Sequence, residues 1–147
     1  MSGLFGGVGK SLLRTGLNDG EAAGIFEAGI AGATLAFGEL CYLAEADGRW
    51  ELTDANAEAS SFGKLGICIL AATSNGEATK MLLWGNVRAD SLFPTLTIGA
   101  PVFIGVSAGE IQLTAPSGSG DILRIVGSGN NANELFFCPS NDYFELV

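Results

Sequence analysis

Histidine does not occur anywhere in the 147-residue chain. With it go the commonest general acid–base side chain and the commonest metal ligand. Cations are scarce too: seven Lys and Arg stand against sixteen Asp and Glu, a formal net charge of −9. The seven are scattered, at Lys10, Arg14, Arg49, Lys64, Lys80, Arg88 and Arg124. A nucleic-acid binder neutralises phosphates with basic side chains, and anionic membranes attract the same charge. Neither partner is expected. No uninterrupted apolar run reaches the ~18 residues that a membrane-spanning helix needs. Met1-Ser2-Gly3-Leu4-Phe5 has no basic stretch followed by an apolar one, so no secretory signal is expected.

Charged residues are only 16% of the chain, against about 25% in an ordinary soluble domain. Hydrophobic residues reach 48%, mean hydropathy is +0.36, and 22 residues are glycine. Such a chain has ample apolar surface to bury, which excludes disorder. It has too few charges to cover itself fully, so apolar area shared between subunits is expected. The three cysteines, Cys41, Cys68 and Cys138, sit in apolar runs without CxxC spacing. They read as buried, reduced thiols.

Composition changes near residue 37. Residues 1–37 mix Gly and Ala with isolated large apolar residues, too apolar for a solvated linker and too broken for a long helix. A short helix over Lys10–Leu17 is predicted, ending before Asn18-Asp19-Gly20. The remainder is expected to form an extended N-terminal arm laid on a partner.

From residue 38 to 147 the pattern is β: short runs of Val, Ile, Leu and aromatics between Gly, Asn, Asp and Ser. Asp47-Gly48, Ser74-Asn75-Gly76 and Ala108-Gly109 mark three hairpins. Asp54–Ser61 is a loop or a single helical turn. About eight short strands predict an all-β fold, a small antiparallel β-barrel or sandwich. A shift of 61 residues aligns LCYLAEADGRWELT with PVFIGVSAGEIQLT, and brings Gly38, Gly48 and Gly66 onto Gly99, Gly109 and Gly127. The body is therefore expected to consist of two similar halves closing on each other, which protects sheet edges.

Several constellations suggest chemistry and do not sustain it. Gly6-Gly7-Val8-Gly9-Lys10-Ser11 approaches a phosphate-binding loop but lacks the first glycine, the preceding strand and the α/β unit that carries such a loop. Glu45/Asp47, Glu51/Asp54 and Asp142/Glu145 are carboxylate pairs by proximity alone in an acidic chain. Asn130, Asn131, Asn133 and Glu134, or Ser140, Asn141 and Asp142, match no calcium loop and read as turn chemistry. Ser117-Gly118-Ser119-Gly120 is no nucleophile elbow. Trp50, Trp84, Phe136, Phe137, Tyr143 and Phe144 read as core or interface ahead of a sugar platform. No catalytic residue, cofactor or metal ligand is assigned, and the chain is not expected to be an enzyme.

The phrases GELCYL, LLWGNVR, GAPVFIGVSAGEIQLTAPSGSGDILRIVGS and ELFFCPSNDYFELV resemble small β-structured virion proteins of tailed phages. These are the head decoration (cement) proteins and related β modules of phage fibres. The resemblance implies a virion structural protein, often a homotrimer, assembled in the host cytoplasm and seated on the outer capsid surface. Its partners would be the major capsid protein and itself. Fibre tips follow shafts of repeats or coiled coil, whereas 37 residues without heptads precede this β module. Cement is therefore the first expectation and a receptor-binding fibre module the alternative. The expected capsid-binding arm carries Leu4, Phe5, Leu12, Leu13, Leu17, Ile25 and Phe26 as apolar contacts, with Lys10 and Arg14 meeting acidic sites.

Overall fold

The structure is a computed structural model that describes residues 13–147. It is all-β, as expected, with a curled antiparallel sheet that forms a half-barrel. The strands are β1 (Ala22–Ile30), β2 (Leu40–Leu43), β3 (Trp50–Leu52), β4 (Leu65–Leu70), β5 (Ala78–Arg88), β6 (Pro101–Ile104), β7 (Ile111–Gln112), β8 (Ile122–Leu123), β9 (Ile125–Gly129), β10 (Glu134–Phe137) and β11 (Phe144–Glu145). A single 3₁₀ turn, Glu58–Ser60, stands in the loop where one helical turn was allowed. Among the described residues no helix is long and apolar enough to cross a membrane.

The sheet runs β3-β2-β4-β5-β10-β9-β6-β7, with β1 added on β5 and β8 paired with β11 apart from it. That order is a palindrome of two units: β2–β5 in one half, β6, β7, β9 and β10 in the other. The repeat extends to single hydrogen bonds. Gly38 N–H donates to the Cys68 carbonyl at 2.8 Å, and Gly99 N–H to the Gly129 carbonyl at 2.8 Å. Ala44 N–H donates to the Arg49 carbonyl at 2.8 Å, and Gly105 N–H to Glu110 at 2.9 Å. Gly38, Gly48, Gly99 and Gly109 all hold positive φ, between 68° and 94°, which explains why glycine recurs there. Two similar halves are present.

The halves meet on β5, the longest strand. β1 pairs along it from Ala78 to Val87. The opposite edge takes β4 at Lys80–Leu82 and then β10 at Gly85–Arg88. Between those stretches the register shifts: Phe26 pairs with Leu82 and Ile25 with Trp84, so Leu83 is the extra residue of a bulge. One extra residue reverses which side chains face inward. Leu82 before the bulge and Val87 after it consequently share the concave face. There the main core gathers Leu40, Ile67 and Leu82 from the first half with Val102, Ile104, Leu135 and Phe137 from the second. Backbone bonds close the seam, Leu40 N–H to Gly109 and Ala55 N–H to Gly105.

A second core lies on the other face of the first half, where β1 pairs with β5 and Ala31 bridges to Trp50. Cys41, Trp50, Cys68 and Met81 are sealed there by Ala31, Leu35 and Ala72. This overturns the placement of residues 1–37 as an arm separate from the body. From residue 13 onward that segment belongs to the fold: β1 pairs with β5, and Leu17, Ala31 and Leu35 are buried. The described part of the expected Lys10–Leu17 helix, residues 13–17, is not helical. Backbone groups there bond to side chains of the body instead, Leu17 to Glu134 and Arg88 and Arg14 to Asn86.

Candidate docking surface

The face opposite the main core differs between the halves: in the first, Ala31 and Leu35 are buried on it, and in the second, Pro101, Ile125 and Cys138 are exposed with Trp84 and Phe136 half-buried. Cross-strand partners share a face, so the registers Ile25–Trp84, Asn86–Phe136, Phe136–Ser128 and Ser128–Pro101 trace one continuous surface. Trp84 and Phe136 stack edge to face with ring centroids 5.6 Å apart. Pro101, Ile125, Phe136 and Cys138 line a shallow groove of about 310 Å³. Ile125 also walls a neighbouring hollow of about 140 Å³ with Phe103, Leu123 and Phe144. Ile125 is 44% exposed and Phe144 67%.

One stretch of chain crosses the end of this face, held by a buried polar network. Glu134, 1% exposed, accepts the Leu17 N–H at 2.9 Å and the Asn130 side-chain amide at 2.8 Å. That same amide donates to Asn86 Oδ1 at 2.8 Å, and Asn86 Nδ2 donates to the Arg14 carbonyl at 3.1 Å. Arg88 donates to the Leu17 carbonyl at 3.1 Å and forks onto Asp90 with two bonds of 2.8 Å. The Asp90 carboxylate is held below its usual range by those bonds, and the Arg88 guanidinium above its own. Each buried group in this network has a partner, as low-dielectric burial demands.

Of the nine arm residues named from the sequence, Leu4, Phe5, Lys10 and Leu12 lie outside the described residues. Leu17 is buried in its own fold, which removes it from any external contact. Leu13 is half-buried; Arg14 is exposed and stands 3.6 Å from Glu21. Ile25 and Phe26 are 49% and 45% exposed. They point to opposite faces of β1, so they do not form one contact patch.

The other candidates resolve as follows. Trp50 is 1% exposed and cannot offer a ring to a sugar. Asn131 Oδ1 accepts the Asn133 and Glu134 N–H groups at 2.8 and 2.9 Å, a turn-stabilising role, and Ser140 Oγ accepts Asp142 N–H at 3.0 Å. Arg124, 3% exposed, donates to the carbonyls of Ser140, Ser61 and Gly63 at 2.7–2.9 Å, stitching the C-terminal stretch to the first half. Burial lowers its pKa. Cys41 and Cys68 are buried and free as expected, whereas Cys138 is free but exposed. That third thiol corrects the sequence reading: Cys138 follows β10 at the rim of the groove, where the sheet no longer covers it.

Ile125, Pro101 and Cys138 were not legible as a surface from the sequence. The pairing of β6 with β9 and the position just after β10 bring them together. No protein-family model, curated protein or solved structure matches the chain.

Proposed function

We propose that this chain is a structural protein of a virion, a capsid decoration or cement protein that binds the outside of a phage head. The observation that supports it best is the bare apolar surface around Trp84, Phe136 and Ile125 on an acidic, charge-poor body. Such a surface suits docking onto protein. The resemblance of its phrases to phage decoration proteins implies the major capsid protein as partner and a homotrimeric state. The reading assigns the chain no catalytic step.

The mechanism is mechanical. Each copy bridges neighbouring capsid subunits, and several bridges per oligomer add avidity against the outward pressure of packaged DNA. A ligand stabilises one of two states only through differential affinity, so the expanded shell must be bound more tightly than the procapsid. The arm contacts are Leu4, Phe5, Lys10, Leu12, Leu13 and Arg14, together with Ile25 or Phe26 from one face of β1. Leu17 is excluded because it is buried in its own fold.

The test is co-sedimentation with expanded, undecorated capsids, with the mass of the free protein taken by light scattering. Saturable binding by a trimer, lost on removal of residues 1–12, supports cement. A cut at residue 20 is unsuitable, because it removes the Leu17–Glu134 anchor. A stable trimer with no capsid binding favours the alternative, a fibre or adhesin module, for which the half-exposed Trp84–Phe136 pair would be the sugar-facing element.

A further inference from the structure

We propose that the outer edge of β1 pairs antiparallel with the same edge of a second copy of this chain, about a two-fold axis at Ile25. β1 lies along β5, and among the described residues no strand follows beyond it. The groups left free follow from the ladder. Arg88 N–H donates to the Glu21 carbonyl at 3.0 Å, and Ala31 N–H donates to the Glu77 carbonyl at 2.8 Å. Along an antiparallel strand, residues that bond their neighbour alternate with residues that do not. The register change lies in β5, so one alternation runs the length of β1. Its odd-numbered residues bond β5. Ala22, Gly24, Phe26 and Ala28 turn their N–H and carbonyl groups the other way, and among the described residues nothing receives them. Ile30 does the same but has β3 beside it, through the bridge from Ala31 to Trp50.

An exposed edge is ordinarily blunted by shortness, a lysine, a proline or a bulge. β1 is nine residues long, AAGIFEAGI, without Lys or Pro, and the bulge is in its neighbour. Its one charge, Glu27, holds Lys64 Nζ at 2.8 Å within the chain. Two chains of net charge −9 can therefore meet here without an unpaired charge on either side. The side chains select a second copy as the occupant. With the axis at Ile25, Gly24 faces the other copy's Phe26, Ala22 faces Ala28, and Glu27 faces Ala23. All four free residues of each copy bond at once, about eight ladder bonds in total. A ring over an edge glycine is a favourable cross-strand fit, and no like charges face each other. Ile25 and Phe26, 49% and 45% exposed, lose water in the same step. An axis at Phe26 would instead set Ala22 against Ile30, where β3 already stands.

The axis supplies its own test. Cys138 is the exposed native thiol, and Cys41 and Cys68 are buried, so the full chain with Cys138→Ser is the background. There Ile25→Cys sets two thiols opposite each other in a non-hydrogen-bonded pair, with Cα atoms about 4.5 Å apart and within disulfide reach. Ala28→Cys sets them six residues out of register, roughly 20 Å apart. Mild oxidation should give disulfide-linked dimers of Ile25→Cys at about ten-fold the yield of Ala28→Cys or more. Amide exchange of the natural chain gives an independent reading. Gly24, Phe26 and Ala28 should gain protection as protein concentration rises, and Phe26→Lys, a charge on the edge, should abolish the gain. Equal yields from the two cysteines overturn the proposal as random collision. Free exchange of the three amides at every concentration overturns it in favour of an open edge. Protection at every concentration in a particle of monomer mass overturns it in favour of a cover from the same chain. The proposal does not rest on the docking reading above, and its test contains no capsid. A trimer held through another face leaves the readout intact, because the disulfide then joins trimers in pairs.

Discussion

Gly24 of β1 and Gly85 of β5 are direct cross-strand partners with no room for a side chain on either. A Cβ at Gly24 would lie 2.1 Å from the Trp84 carbonyl oxygen, and one at Gly85 2.3 Å from the Ala23 carbonyl oxygen. Their φ angles, 153° and 141°, are ones that L side chains rarely adopt. The contact adjoins the bulge at Leu83. The clashing atoms are backbone, which cannot swing aside. Gly85→Ala should therefore cost more than about 2 kcal/mol, combining strain with overpacking. Gly20→Ala, also at positive φ but in open space, should cost only about 1 kcal/mol. Urea unfolding of the two variants gives the comparison, and equal costs would count against the close approach.

Glu134 is one of several groups that hold residues 13–20 to the body, with Asn86 and Arg88. Glu134→Ala leaves the buried Leu17 N–H without its acceptor and removes one of the two acceptors of the Asn130 amide. A loss of about 2–3 kcal/mol is expected, the scale of hydrogen bonds to a charged group. Hydrogen exchange should localise the effect, with the Leu17 amide losing protection before β4 does. Uniform loosening of the whole sheet would contradict an anchoring role.

Leu35 and Leu96 occupy the same place in the two halves. Each donates its N–H at 2.8 Å to an alanine carbonyl, of Ala72 and Ala132, and they are 1% and 4% exposed. One seals the second core and the other the main core. Leu→Ala at either position should cost about 2–5 kcal/mol, measured by thermal or urea unfolding. A negligible cost at Leu35 would return the segment before residue 37 to the status of a loose arm.

Alkaline pH should destabilise the fold through its buried thiols. Desolvation pushes Cys41 well above the ordinary 9.0, with Cys68 and Glu39 adding repulsion, and desolvation raises Cys68 too. A raised pKa means the folded state keeps its proton while the unfolded state loses it. The stabilisation is complete below pH about 9 and falls as pH rises through the folded values. Unfolding free energy should decline from pH 9 upward, and Cys41→Ala should flatten that decline while lowering stability at neutral pH. An unchanged slope in the variant would assign the alkaline loss to other groups.

Much of this fold was legible beforehand because hairpins and cores are local in their chemistry. Asp47-Gly48 forms its tight turn through Gly48 at φ +68° and an Asp47 side chain that accepts the Arg49 N–H. The 61-residue repeat was visible in paired glycines because Gly38 and Gly99, like Gly48 and Gly109, meet the same positive-φ requirement. β1 was not legible. Its sequence, AAGIFEAGI, lacks the β-branched alternation of an ordinary strand, and its glycines are there for contact with β5 and Trp50. The arm residues suffered from the same cause: Leu17 reads as a free apolar side chain until Glu134, more than a hundred positions away, is seen to hold it.

The class of the fold, the number of halves and the positions of the turns follow from residue pattern, since alternation and positive-φ glycines act over a few neighbours. Which face of each half is buried does not follow from it. That was settled at Leu83, where one extra residue in β5 switches the alternation, so that Leu82 before it and Val87 after it face the same main core. The face carrying Phe136, Ile125 and Pro101 is left outside, because a register change propagates through the ladder and no local composition records it.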